Sequence, residues 1–349
     1  MSRFFHRFAA ALAVLLLMAV SGLAFATGTA ESEAAAEEPS NSLRVYTYDA
    51  FPEALETAIV NHFASRYDVT VELQRMQDTG DLYNQTFLGR ENPEADVIIG
   101  LDNTYVGRAI EADLFQPYRP ASADMLREEV VLDPEFRLTP FDWGNIVLNY
   151  DSEELPNPPQ SWEELLDPSL RESIIVMNPA TSSPGRNFLL LTIEVFGEDG
   201  YLEFWEQLKP NILTVTSGWS EGYGLYTQGE APIVVSYETS PAYHIAYENT
   251  DRYKNLILGD LGYAQVEVAG ITKGARNVEN ARRLIDYLLE AQLQEIIPLN
   301  QFMYPVNPEV VLPPAFEQVE KAGRTVTIPV DRVDANFDAW LEAWEEVMR

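Results

Sequence analysis

Five short clusters in this chain combine aromatic rings, carboxylates and hydroxyls. They are Tyr46-Thr47-Tyr48-Asp49, Asp102-Asn103, the run from Asn178 through Thr181-Ser182-Ser183-Pro184-Gly185, Ser217-Gly218-Trp219-Ser220-Glu221-Gly222-Tyr223, and Ser236-Tyr237-Glu238-Thr239-Ser240-Pro241-Ala242-Tyr243-His244. Aromatic faces and carboxylates attract a cation, and rings stack on a flat heterocycle. Ser182-Ser183-Pro184 signals an N-cap and first helical turn, and the free N–H groups of such a start also bind phosphate. Each cluster has a structural reading beside the functional one. Tyr48 can be a strand aromatic, Asp102 an N-cap for the next helix, and Arg186 a solvent-facing first-turn residue. Trp219, between Gly218 and Ser220, has little to pack against except a ligand or a neighbouring lobe.

Other chemistries find less support. The chain has no cysteine, which removes thiolate nucleophiles, disulfides and cysteine metal sites. His62 and His244 lack H-x-x-x-H spacing, and His62 sits in an amphipathic segment that suits a surface role. No G-x-S-x-G motif occurs. The sequence predicts no catalytic residue, no metal and no cofactor.

The clusters lie where strands end. Leu43 to Tyr48 alternates in period two, 53–67 carries Leu55, Ile59, Val60 and Phe63 on one helical face, and Val69, Val71 and Leu73 return to period two. Asp96 to Leu101 is a continuous apolar run, as in a strand buried on both sides, and a helix is expected over 103–114. After a strand at 144–150, Pro156-Asn157-Pro158-Pro159 cannot be helix, and Ser161-Trp162-Glu163-Glu164 reads as a capping box. Strands at 173–177, 212–216 and 232–237 alternate with helices near 186–197, 201–209 and 221–229. A strand at 262–270 and a helix at 278–292 follow. Val333, Phe337, Trp340, Leu341 and Trp344 form a helical stripe read as core packing. This order predicts an α/β fold with a mostly parallel sheet, in which ligands bind beyond the carboxyl ends of the strands. Two lobes are expected, 43–145 with 262–349 and 146–261, joined by crossovers near 145–150 and 255–265.

The first segment predicts export. Arg3, His6 and Arg7 precede an apolar run from Phe8 to Val20, and Ala24-Phe25-Ala26 supplies a cleavage site. The run is too short for a comfortable membrane span. Residues 1–26 are therefore read as a signal peptide and 27–42, rich in Ala, Glu and Ser, as a disordered acidic tether. With no cysteine there is no site for an N-terminal lipid, so the expected location is periplasmic and unanchored. The formal net charge is −32. Such acidity disfavours nucleic acid and anionic membranes and suits either solubility or attraction of a cationic solute.

Several of these segments carry a family resemblance. Val45-Tyr46-Thr47-Tyr48-Asp49, Gly100-Leu101-Asp102-Asn103, Pro156-Asn157-Pro158-Pro159-Gln160-Ser161, Thr216-Ser217-Gly218-Trp219-Ser220-Glu221, the 236–244 segment and Met303-Tyr304-Pro305-Val306 resemble the thiamine-binding periplasmic proteins of ABC importers, in order along nearly the whole chain after 43. The resemblance implies a type II periplasmic-binding fold and a monomeric binding protein that delivers thiamine, or its mono- or diphosphate, to an inner-membrane permease. It implies a site of Tyr48, Asp102, Trp219, Ser220, Tyr237 and Tyr243, with Ser182 at the phosphate end. Where the family has a tryptophan, this chain has Phe302, and the family's tryptophan in the helix after 46–49 has no equivalent. Arg186 is likewise outside the family pattern and would suit a phosphorylated ligand. The alternatives are another organic cation such as a polyamine, a thiaminase-like enzyme, which would need the missing cysteine, and ferric ion held by tyrosines.

Overall fold

A computed structural model of the protein describes residues 41–349. The expected signal peptide and 27–40 of the expected tether lie outside the described residues. Ser42, the tether's expected last residue, already pairs with Thr70 in the sheet.

The strands, in chain order, are β1 (Ser42–Tyr48), β2 (Thr70–Met76), β3 (Val97–Asp102), β4 (Phe115–Gln116), β5 (Thr139–Asp151), β6 (Ile174–Met177), β7 (Ile212–Thr216), β8 (Ile233–Tyr237), β9 (Tyr253–Leu256), β10 (Leu261–Thr272), β11 (Tyr304–Pro305) and β12 (Arg324–Val326). The main path through the sheet is β2-β1-β3-β10-β5-β8-β6-β7. Its two flanks are parallel, β2-β1-β3 on one side and β8-β6-β7 on the other. Between them β10 and β5 run antiparallel to each other and to their outer neighbours. The parallel expectation thus holds for the flanks and not for the centre. Parallel strands covered on both faces must be apolar throughout, and β3 and β6 are buried at every position.

Helices cover both flanks. Glu53–Thr57, Ala58–Phe63 and Ala64–Tyr67 run on as one helical segment with a π turn at its middle, ending on Asp68 in the left-handed region. Its Leu55, Ile59 and Phe63 pack with β1 and β3 residues in one core. Around β6 and β8 a second core gathers Phe188, Leu189, Trp205 and Tyr226. Phe337, Trp340 and Trp344 of the helix Val330–Met348 close that second core, so the expected stripe is core packing. Trp205 and Trp344 meet edge to face at 5.5 Å, a favoured aromatic geometry.

Several elements differ from the sequence reading, among them a missed helix, Thr79–Leu88, and an expected helix at 278–292 that ends at Leu288. The helix after β3 is short, Val106–Glu111, because 103–105 form the turn that caps it. The capping box closes only a 3-10 turn, Glu164–Leu166, with the Glu164 N–H donating to Ser161 Oγ at 3.2 Å. Among the described residues no helix is long and apolar enough to cross a membrane.

Candidate functional site

The carboxyl ends of β1, β2, β6, β7 and β8 converge on one cavity of about 610 Å³. This is the place where open α/β sheets put ligands. Six rings face it, from Tyr48, Trp219, Tyr223, Tyr237, Tyr243 and Phe302. Trp219 opens the helix Trp219–Thr227, and Tyr223 lies one turn on, so helical spacing brings their rings together. Trp219 Nε1 donates to Ser236 Oγ at 2.9 Å, and Ser236 shares a 2.8 Å bond with Ser240. At the rim Phe302 meets Tyr243 edge to face, 5.2 Å between centroids. Phe302 holds φ +55°, a left-handed backbone that costs a bulky residue about 1 kcal/mol.

His244 stands behind the rings, buried, on the π turn His244–Glu248. Its Nδ1 lies 2.6 Å from Glu248 Oε2. A carboxylate only accepts, so Nδ1 carries the proton and Nε2 accepts from the Tyr223 hydroxyl at 2.9 Å. Burial holds the imidazole pKa below its usual value, against the pull of Glu248.

The floor is acidic. Glu267, on β10, accepts from the Tyr48 hydroxyl at 2.7 Å and from Gln265 Nε2 at 3.2 Å. The same Gln265 amide donates to the Tyr237 hydroxyl at 2.7 Å, and Gln301 donates to the Tyr48 hydroxyl. Burial pushes the Glu267 carboxyl up to about 8, aided by the charges of Asp102 and Asp78. Asp78 caps the helix Thr79–Leu88 through the Thr79 N–H at 2.7 Å. Burial raises it to about 7, while that bond and the Ser183 backbone N–H pull it down. Gly218 lets the tryptophan loop come close, since an added Cβ would sit 2.9 Å from Asp78 Oδ2. Gly100 does the same for Tyr48. Its φ is +103°, and an added Cβ would lie 2.2 Å from the Tyr48 ring.

Of the residues singled out in the sequence, Tyr48, Trp219, Ser220, Tyr237, Tyr243 and Phe302 line the cavity together. Asp102 and Ser182 do not. Asp102 is fully buried, and its Oδ1 takes the Thr104 N–H at 2.7 Å and the Thr104 hydroxyl at 2.6 Å. It organises the turn after β3 and is not the cap of the next helix, whose N-cap position is Tyr105. Ser182 is fully buried too, and its neighbour Ser183 reaches the cavity instead. The Ser183 N–H faces the Asp78 carboxylate, which fills the anion role at this helix start. Arg186 is neither solvent-facing nor in the cavity. It is 3% exposed, donates from Nε to Thr104 Oγ1 at 2.8 Å, and lies between the rings of Tyr105 and Phe337.

Asp78, Glu267, Gln265 and Gln301 are lining residues that the sequence reading missed. Glu267 did leave a signal, an acid inside the apolar run of β10. Asp78 also left one, as a cap residue before Thr79-Gly80-Asp81.

Residues 92–334 match the family model of bacterial extracellular solute-binding proteins. The thiamine-binding periplasmic protein of Escherichia coli K12 is 35% identical over 311 residues, covering 88% of this chain and 93% of that one. Its counterpart in Brucella abortus is 34% identical over 318 residues, covering 89% and 93%. Among solved structures, a periplasmic thiamin binding protein superposes with a TM-score of 0.81 at 34% identity, over 88% of this chain and 96% of that one. A fructose-6-phosphate-bound periplasmic protein from Actinobacillus pleuropneumoniae shares the fold at TM-score 0.77 and 19% identity. These relatives are solute-binding proteins rather than enzymes, and their fold is the type II periplasmic-binding fold. The chain belongs to the bacterial extracellular solute-binding proteins and, within them, to the family of thiamine-binding periplasmic proteins.

Proposed function

We propose that this protein captures thiamine between two α/β lobes, 43–145 with 262–349 and 146–261, and passes it to the permease of an ABC importer. One observation carries the reading. The cavity lining holds six rings and six carboxyl groups, from Asp49, Asp78, Asp81, Glu221, Glu248 and Glu267, and no Lys or Arg. A flat aminopyrimidine fits between rings, and a permanently cationic thiazolium suits aromatic faces and carboxylates. The same lining disfavours a phosphate, which would meet like charge without a basic partner. Thiamine itself is therefore the preferred ligand, ahead of its mono- and diphosphate. The names of the relatives support the same choice.

In this reading residues 1–26 are removed on export and the protein works in the periplasm as an unlipidated monomer. Titration calorimetry with thiamine, its two phosphates, spermidine and ferric ion tests the ligand. Thiamine is expected to bind most tightly, and each phosphate more weakly. Tighter binding of spermidine than of thiamine would replace the reading with a polyamine one. Intact mass and light scattering of exported protein check the processing and the oligomeric state.

A further inference from the structure

Glu267 on β10 and Asp142 on β5 are direct partners across the antiparallel ladder. Such partners project to the same face with Cβ atoms about 4.5–5.5 Å apart. Glu267 is 6% exposed and opens on the cavity. Asp142 is fully buried behind it, and neither of its carboxyl oxygens has a hydrogen-bond partner among the described residues.

The titratable groups facing the pair come from four surrounding elements. They are Tyr48 of β1, Asp102 of β3, Tyr237 of β8 and Asp78 at the start of the helix Thr79–Leu88. All are acids or phenols, and the amides of Gln265 and Gln301 add only neutral donors. Two adjacent buried carboxyls without a cation do not both ionise, and the pair retains a proton. Burial and the neighbouring Glu267 charge push Asp142 up, in the same direction as Glu267 itself.

We propose that Glu267 reads the positive charge of the ligand, and that the Asp142–Glu267 pair holds one proton in the ligand-free cleft which the arriving cation displaces. The proposal rests on the reading of the ligand as thiamine. A thiazolium carries a fixed charge and brings no proton to exchange, so one proton leaves the pair for solvent as one cation enters. The cleft then discriminates by charge as well as by shape. A neutral isostere gains nothing from ionising the pair, while the cation supplies the missing counter-charge.

The test has two arms. In calorimetry between pH 6 and pH 8, in buffers of different ionisation enthalpy, thiamine binding is expected to release close to one proton at the acid end. Affinity should rise with pH, by up to about tenfold per unit. Asp142→Asn removes one carboxyl of the pair and its share of the repulsion, so the pH slope and the released proton should shrink while binding persists. Glu267→Gln should lose the slope and at least about tenfold of affinity at pH 8. In the second arm, carboxyl-carbon NMR of the ligand-free protein follows Glu267 through its titration. Its midpoint should lie above neutrality in the parent and shift downward in Asp142→Asn, while burial and the charges of Asp102 and Asp78 keep it above the ordinary carboxylate range. A parent Glu267 that titrates in the ordinary range overturns the proposal, as does pH-independent thiamine binding by the parent. Failure of thiamine to bind at any pH would overturn the ligand reading alone, and the NMR arm would still decide the pair.

Discussion

Trp219 and Tyr223 stack with ring centroids 4.9 Å apart and planes 17° from parallel. The chain Tyr223–His244–Glu248 fixes this stack from behind. Removing the front ring should therefore hurt binding more than folding. Trp219→Ala is expected to weaken thiamine by about 1–3 kcal/mol, the worth of a stacked ring on a cation, with the melting temperature little changed. Tyr223→Phe keeps the ring but leaves a buried imidazole nitrogen unpaired, at a cost of about 1–3 kcal/mol in stability. Calorimetry and denaturant unfolding on the two variants separate these roles. Phe302→Trp adds ring area at the rim and should tighten thiamine or leave it unchanged.

Asp78 and Asp102 each precede a helix, and only Asp78 reaches the cavity. Asp78→Asn should weaken thiamine by about 2 kcal/mol or more, as for truncating a buried charged contact. Asp102→Asn should leave affinity within a few-fold and lower stability, because the turn at Thr104 and the nearby Arg186 lose their anion. If Asp102→Asn abolishes binding while the protein stays fully folded, the assignment of the two acids is reversed.

Stability of the ligand-free protein should fall as pH rises from about 5 to 8. The folded pKa values of Asp78, about 7, and Glu267, about 8, lie above the ordinary carboxylate range. Between those limits the native state binds more protons than the unfolded chain, so the stabilisation present at low pH is lost as pH climbs through 7 and 8. His244 acts with the opposite sign. Its lowered pKa contributes stability above about 6.5 that is lost on acidification. Stability is therefore expected to be highest near pH 5 and to decline toward pH 8 in thermal scans, and Glu267→Gln should flatten that decline.

Arg186 is a buried structural cation, so its removal should act on stability and spare ligand preference. Arg186→Leu removes the buried donor to the Thr104 and Tyr105 hydroxyls and the cation between the Tyr105 and Phe337 rings, at a cost of about 1–3 kcal/mol. Chemical denaturation measures the loss. The ratio of thiamine to thiamine monophosphate affinity should match the parent, and a selective loss of the phosphate would place Arg186 at the site after all.

The sequence made some of this legible because the relevant physics is local. Period-two and helical spacing marked β1, β2 and the C-terminal stripe, the clusters at strand ends held the lining rings of Tyr48, Trp219, Tyr223, Tyr237 and Tyr243, and the family resemblance added Phe302. The central ladder was not legible, since β5 and β10 pair across more than a hundred residues and their antiparallel direction leaves no local trace. The two aspartates were indistinguishable for a related reason. Each sits before a helix, and which one opens to the cavity depends on Thr104 turning back over Asp102. The helix Thr79–Leu88 escaped notice because Asn84, Gln85 and Thr86 interrupt its apolar period, giving it only Leu82 fully buried among its large side chains.

The contact between Gly100 and the Tyr48 ring sets a direction on how this family can diverge. Tyr48 can shrink while Gly100 stays, because an absent ring offends nothing. The reverse order is blocked twice, by the ring 2.2 Å from any added Cβ and by a backbone at φ +103°. Among related chains, a side chain at the position of Gly100 should occur only where the position of Tyr48 has already lost its ring. Inheritance at a residue that need not touch ligand is thus ordered by one that lines the cleft.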